Sequence, residues 1–141
     1  MKQLLIVFIG GGIGTVFRYI ISKLIPYSGN GFPWSTFSTN LIGCFILGII
    51  SGYFLRTVSN DQSDMVLFST IGLCGGFTTF STYAYENFNL LKSEDHLTFI
   101  IYSLISVIFG ILMVYLGMII NKHGEQFCSL ILFISVSLIH I

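Results

Sequence analysis

Long apolar runs alternate with short polar stretches along this chain. Four runs reach the length a helix needs to cross a bilayer, about 20 residues. They are Leu4 to about Ile25, Trp34 to about Leu55, Met65 to about Leu90, and Leu97 to about Ile120. The stretches between them carry turn chemistry: Pro26-Tyr27-Ser28-Gly29-Asn30-Gly31, Ser59-Asn60-Asp61-Gln62-Ser63-Asp64 and Lys92-Ser93-Glu94-Asp95-His96. Backbone groups in lipid must be bonded within the protein, so these runs predict helices; barrel strands would be shorter and alternating. The pattern therefore predicts an all-α membrane protein, with one four-helix domain over residues 1–123. The tail, 124–141, has an apolar stretch from Phe127 to Ile141 that is short for a span. It leaves three placements open: at the membrane interface, packed on the bundle, or a fifth crossing.

The third run is unusual. Its centre reads Gly72-Leu73-Cys74-Gly75-Gly76-Phe77-Thr78-Thr79-Phe80-Ser81-Thr82. Adjacent glycines and a cluster of hydroxyls make a poor helix interior. A break at mid-membrane is expected there, and bare backbone at that depth must face protein or a water-filled cavity.

Composition narrows the class. Of 141 residues, 54% are hydrophobic and only 9% charged, with a mean hydropathy of +0.89. That is too little charge to cover a water-facing surface, which is roughly a quarter charged in soluble domains. Net charge is zero, and no basic block suggests nucleic acid. The N-terminal run lacks a small-residue cleavage site and reads as a retained span. Cys44, Cys74 and Cys128 are far apart and read as packed thiols. His96, His123 and His140 lie outside the spans, and no span holds paired carboxylates, so no constellation for catalysis is present.

Topology signals are weak. One side of the membrane receives Lys2, Arg56 and Lys122; the other receives Lys23 and Lys92, with Arg18 if it snorkels. Such balance fits a chain that inserts both ways and pairs antiparallel, or a weak bias that still picks one orientation.

Several motifs are candidates for chemistry. Gly10-Gly11-Gly12-Ile13-Gly14-Thr15 lacks the final glycine, the βαβ context and the downstream acid of a dinucleotide loop, and reads as a close helix-packing surface. Arg18 lies inside the first span, either snorkelling or forming a cationic vestibule. Thr36, Thr39, Asn40 and Gly43 share one helical face, as do Phe99, Tyr102, Ser103, Ser106 and Gly110. Such stripes bond neighbouring helices or line a polar path. Phe80 and Tyr83 face one way, and aromatic ring edges carry partial positive charge.

Gly11-Gly12-Ile13-Gly14 with Arg18-Tyr19, Thr39-Asn40 with Gly43 and Gly48, and Gly72 through Tyr83 with Glu86 resemble the Fluc/CrcB fluoride channels. The resemblance covers about residues 1–122, and its Gly-Gly-Phe-Thr-Thr-Phe-Ser-Thr core is specific. It implies a dual-topology homodimer with two antiparallel pores, with pairing to a related subunit as the alternative. It implies a structural sodium ion (Na+) at the dimer centre on the main-chain carbonyls of Gly75 and Thr78. Fluoride contacts would come from Phe80, Tyr83 and Asn40, and a polar track from Ser81, Thr82, Tyr102 and Ser106. Arg18 would belong to the vestibule, and Glu86 to the polar end of the third helix. The second aromatic is usually Phe in that family and is Tyr83 here; the tail has no counterpart. The expected activity is passive, fluoride-specific export across a bacterial plasma membrane. The rival reading is a small multidrug-type transporter, also a four-span dimer, but those rely on a Glu in the first span, and this first span has no acidic residue.

Overall fold

The structure, a computed structural model, describes residues 1–27, 29, 31–57 and 64–139, with the backbone alone for 55–57 and 121–139. The expected turn over 59–63 and the side chains of Arg56, Lys122, His123 and Cys128 lie outside the described residues. Helices follow in the order α1 (Lys2–Leu24), α2 (Trp34–Thr57), α3 (Asp64–Val66), a π-helical segment (Leu67–Cys74), α4 (Gly75–Phe77), α5 (Phe80–Lys92) and α6 (His96–Ile139). No strand occurs among the described residues. Four stretches are long and apolar enough to cross a membrane: Lys2–Leu24, Trp34–Phe54, Asp64–Lys92 and His96–Ile120. These match the predicted runs to within about three residues, since a long apolar run ends where polar turn residues begin. Asp95 starts α6 by accepting the Thr98 N–H at 3.1 Å, a side-chain cap of the kind helix starts favour.

Large apolar side chains cover the outside. Leu4, Phe8 and Val16 on α1, and Leu97, Val107 and Ile111 on α6, are all more than half exposed. Lipid solvates such a surface, so apolar burial contributes little to holding the helices together; close packing and polar bonds do that instead. The glycines of α1 serve the first role. A Cβ on Gly10 would stand 2.7 Å from the Phe68 carbonyl oxygen, and one on Gly14 would overlap the Leu73 carbonyl. The glycine cluster is therefore the surface on which α1 meets the π-helical segment and α4. A second close crossing joins α2 to α6, where Gly48 abuts the Val114 backbone and Gly117 abuts that of Phe45.

The interior is small and polar. Ser35, Thr36, Thr39, Thr79, Glu86 and Asn87 are buried alongside Tyr102 and Leu90. In the third span the backbone changes form twice. The π-helical segment widens it over Leu67–Cys74, a rare geometry often associated with function. After α4 the helix gives way to two extended residues, Thr78 (φ −77°, ψ 158°) and Thr79 (φ −147°, ψ 113°). Thr79 then caps α5, its Oγ1 accepting the Thr82 N–H at 3.3 Å.

The fourth span does not end at Ile120 in backbone terms. α6 runs 44 residues to Ile139, about 66 Å at 1.5 Å per residue, roughly twice the 30 Å hydrocarbon thickness.

Candidate ion pathway

The polar faces predicted on α2 and α6 both meet the third span, α2 at the extended pair Thr78–Thr79 and at Glu86, α6 at Glu86 and Asn87. Asn40 on α2 holds the backbone there with both ends of its amide: Thr79 N–H donates to Asn40 Oδ1 at 2.9 Å, and Asn40 Nδ2 donates to the Thr79 carbonyl at 3.3 Å. Gly43, one turn on, leaves room for the Thr78 side chain. One turn before Asn40, Thr36 Oγ1 donates to Glu86 Oε1 at 2.7 Å. Thr39 instead satisfies itself on the Ser35 carbonyl at 2.7 Å. Three of the four positions on that α2 face, Thr36, Asn40 and Gly43, therefore meet the third span.

From α6, Tyr102 donates to Glu86 Oε2 at 2.8 Å and Ser103 donates to Asn87 Oδ1 at 3.0 Å. Glu86, only 5% exposed, thus takes one hydrogen bond on each carboxylate oxygen. A buried carboxylate is costly without such partners. Ser106 is different: its Oγ is buried and has no partner among the described residues. Tyr27, in the turn before α2, is also buried at its hydroxyl without a partner among them. Burial pushes its phenol up from the ordinary value, and the nearby Glu86 and Asp95 push the same way.

Two cavities flank Thr79. The first, about 410 Å³, is lined by Asn40, Gly75, Thr78, Phe80, Tyr83 and Ser106, among others. Its aromatic wall is the Phe80–Tyr83 pair, with ring centroids 5.8 Å apart and planes tilted by 39°. The second, about 350 Å³, is lined by Arg18, Thr15, Ser22, Thr36, Thr39 and Thr82, among others. Thr79 lines both.

The predicted site residues fall into three groups. Asn40, Phe80, Tyr83, Ser106, Gly75 and Thr78 share the first cavity. Arg18 and Thr82 share the second. Tyr102 and Ser81 line neither: Tyr102 is fully buried, its hydroxyl committed to Glu86 and its ring 5.0 Å from Tyr83, while Ser81 is exposed with its Oγ 3.4 Å from Thr79 Oγ1. Sequence reasoning did not single out Thr79, the residue common to both cavities. A threonine immediately before the apolar Phe80, where the helix resumes, is the signal that marks it as a cap.

The wall of the first cavity combines the Asn40 amide, the hydroxyl residues Thr70, Thr78, Thr79 and Ser106 and the Phe80 and Tyr83 rings with apolar side chains, without a lysine, arginine or carboxylate among the lining residues. The family of CrcB-like proteins (Camphor Resistance, CrcB) matches residues 5–118. The chain belongs to the CrcB-like family. Its relatives include the fluoride-specific ion channel FluC of Phocaeicola vulgatus, 47% identical over 118 residues, which is 83% of this chain and 96% of that one. The protein of the same name from Azobacteroides pseudotrichonymphae is 42% identical, covering 86% of this chain and 98% of its own length. That of Methanococcus aeolicus is 41% identical, covering 86% and 96%. These relatives are named as ion channels and not as enzymes. With four membrane-crossing helices, the CrcB-like chain is a multi-pass membrane protein. Both cavities lie within the matched residues; the tail lies beyond them.

Proposed function

We infer that this CrcB-like chain is a fluoride-specific ion channel that passes fluoride out of the cytoplasm passively and so protects against fluoride toxicity. The observation that carries the reading is the first cavity, whose lining brings together the Asn40 amide, the Phe80–Tyr83 ring pair and Ser106 with no lysine, arginine or carboxylate among them. Stripping water from an unpaired ion costs on the order of tens of kcal/mol in the Born limit. Donors arrayed along a wall replace that hydration, and without a fixed cation among them the ion is also released. The identity to relatives named as fluoride-specific channels supports the choice of ion.

In this reading the third span is broken at mid-membrane by Thr78 and Thr79, and two copies assemble antiparallel in a bacterial plasma membrane. The near balance of Lys and Arg on the two sides supports both insertions. Exposure on the third span supports the pairing: Gly75 is exposed and Phe80 is 79% exposed in the single chain, and a second copy would cover both.

The same break suits a structural sodium ion. Because the Thr79 N–H is taken by Asn40, the Gly75 carbonyl lacks the partner it would have in a continuous helix. Carbonyl oxygens match a hard cation. Gly75 and Thr78 of one chain supply part of a shell, and a second copy would complete it. A bound cation there would hold the two copies in register; this chain's own part is to keep those carbonyls free of helical bonds.

Liposomes containing only this protein, loaded with fluoride and diluted into fluoride-free buffer, test the function. Rapid efflux seen by a fluoride electrode is expected. Vesicles that retain their fluoride while a FluC relative empties the same preparation would overturn the reading.

A further inference from the structure

The first cavity holds two groups that the fluoride reading does not use. Cys44 on α2 and Cys74 at the end of the π-helical segment both line it, beside Asn40 and Ser106. Both thiols are free. Cys74 is 4% exposed and lines this cavity as well as the apolar space beside Phe17 and Phe77. α2 runs close to the third span here: a Cβ on Gly43, next to Cys44, would overlap the side chain of Thr78, one turn after Cys74. α6 passes beside Cys44 at Gly110, where a Cβ would reach ordinary contact with the Cys44 Sγ at 3.7 Å. The lining includes no carboxylate, amine or imidazole that would compete for a metal or repel one.

Thiol pairs have a distinct ligand preference. Soft thiolates select soft cations, whereas the oxygen donors nearby suit hard ones. We propose that Cys44 and Cys74 form a two-thiol site for a soft, thiophilic metal cation, and that its occupancy plugs the ion path. For a divalent cation the step is M²⁺ + 2 RSH → RS–M–SR + 2 H⁺. Two S–M bonds form, two S–H bonds break, both protons leave to solvent and no oxidation state changes. Proton release of this kind accompanies thiolate ligation generally. The bridged metal spans from α2 to the third span, in the cavity that Asn40 and Ser106 also line. The plug rests on the fluoride reading; the metal site does not.

The probe is mercuric ion alone, applied to the purified full chain and to the chain in liposomes. Wild type, Cys44→Ser, Cys74→Ser, the double variant and Cys128→Ser are compared, with Cys→Ala versions made in parallel in case serine disturbs packing. Mercury content after washing with a competing monothiol reads the site. Wild type and Cys128→Ser should each retain one mercury per chain, each single cavity variant should lose at least tenfold in retention, and the double variant should retain none. Fluoride efflux, referenced to each variant's own untreated rate, reads the plug. It should fall at least tenfold in wild type and Cys128→Ser and by less than half in the double variant, with dithiothreitol restoring the wild-type rate. Retention by the double variant, or loss of retention on changing Cys128 alone, would overturn the site. Full retention with unaltered efflux would overturn the plug. Absent efflux before any mercury is added would defeat the fluoride reading instead, leaving retention to decide the site.

Discussion

Replacing Asn40 by aspartate separates the two duties of that side chain. The carboxylate still offers an oxygen to the Thr79 N–H, in place of the 2.9 Å bond to the amide. It loses the donor to the Thr79 carbonyl and adds a negative charge to the cavity wall. Two like charges about 4 Å apart at an effective dielectric near 20 repel by about 4 kcal/mol. At about 1.36 kcal/mol per decade, that slows an anion by about a thousandfold. Asn40→Leu is the control without charge. It leaves the Thr79 N–H, in a residue only 7% exposed, without a partner, at a cost of about 1–3 kcal/mol in stability. Melting in detergent should therefore rank wild type above Asn40→Asp and Asn40→Leu lowest, while electrode-measured fluoride efflux should be lowest for Asn40→Asp. Efflux by Asn40→Asp within threefold of wild type, from vesicles with equal protein content, would refute the placement of Asn40 on the path.

Phe80→Ile should slow fluoride efflux by about tenfold, the worth of one aromatic interaction of about 1.5 kcal/mol, and should barely move the melting temperature because Phe80 is 79% exposed in the chain. Phe77→Ile should do the opposite, since Phe77 is buried and lines an apolar space with Phe17 and Ile20 of α1; a stability loss of about 1–3 kcal/mol is expected, with efflux per folded chain near wild type. Gly14→Ala should cost about 3 kcal/mol, the upper range of overpacking, because its Cβ would overlap the Leu73 carbonyl; Gly12→Ala, with nothing within 4 Å, should be neutral or stabilising, and thermal melts of the two compare them directly. Tyr102→Phe removes the donor to Glu86 Oε2 and should destabilise the chain by about 1–3 kcal/mol; adding Thr36→Val should cost a non-additive amount in the same melts, because both hydroxyls serve one carboxylate.

The spans were legible because each is a long apolar run closed by turn residues such as Pro26 and Asp95, a signal too long to mistake. The weakness of the helix near Gly75-Gly76 and Thr78-Thr79 was equally readable, from residue types that do not support helix interiors. The π-helical segment was not: Leu67–Cys74 has no composition that distinguishes it from ordinary apolar helix, and it packs where α1 comes closest, at Gly10 and Gly14. Periodicity put Asn40 on a polar stripe, but not its partner; that the amide serves backbone atoms 39 residues away is a tertiary fact. The same holds for Tyr102, expected on the polar track and found bound to Glu86. A lone carboxylate inside an apolar bundle must collect donors, and Tyr102 and Thr36 are the hydroxyls within reach. Ser106, drawn from the same α6 stripe, keeps its hydroxyl free because no such acceptor lies beside it among the described residues.

The central claim is that the wall of Asn40, Ser106 and the Phe80–Tyr83 edges replaces the hydration of a small anion well enough to pass it and too weakly to hold it. Currents across a planar bilayer containing the purified protein, with fluoride on one side and chloride on the other, measure this directly. The account predicts a reversal potential set by fluoride alone, with current lost in Asn40→Asp. A reversal potential that follows chloride equally, or current undiminished in Asn40→Asp, would contradict it.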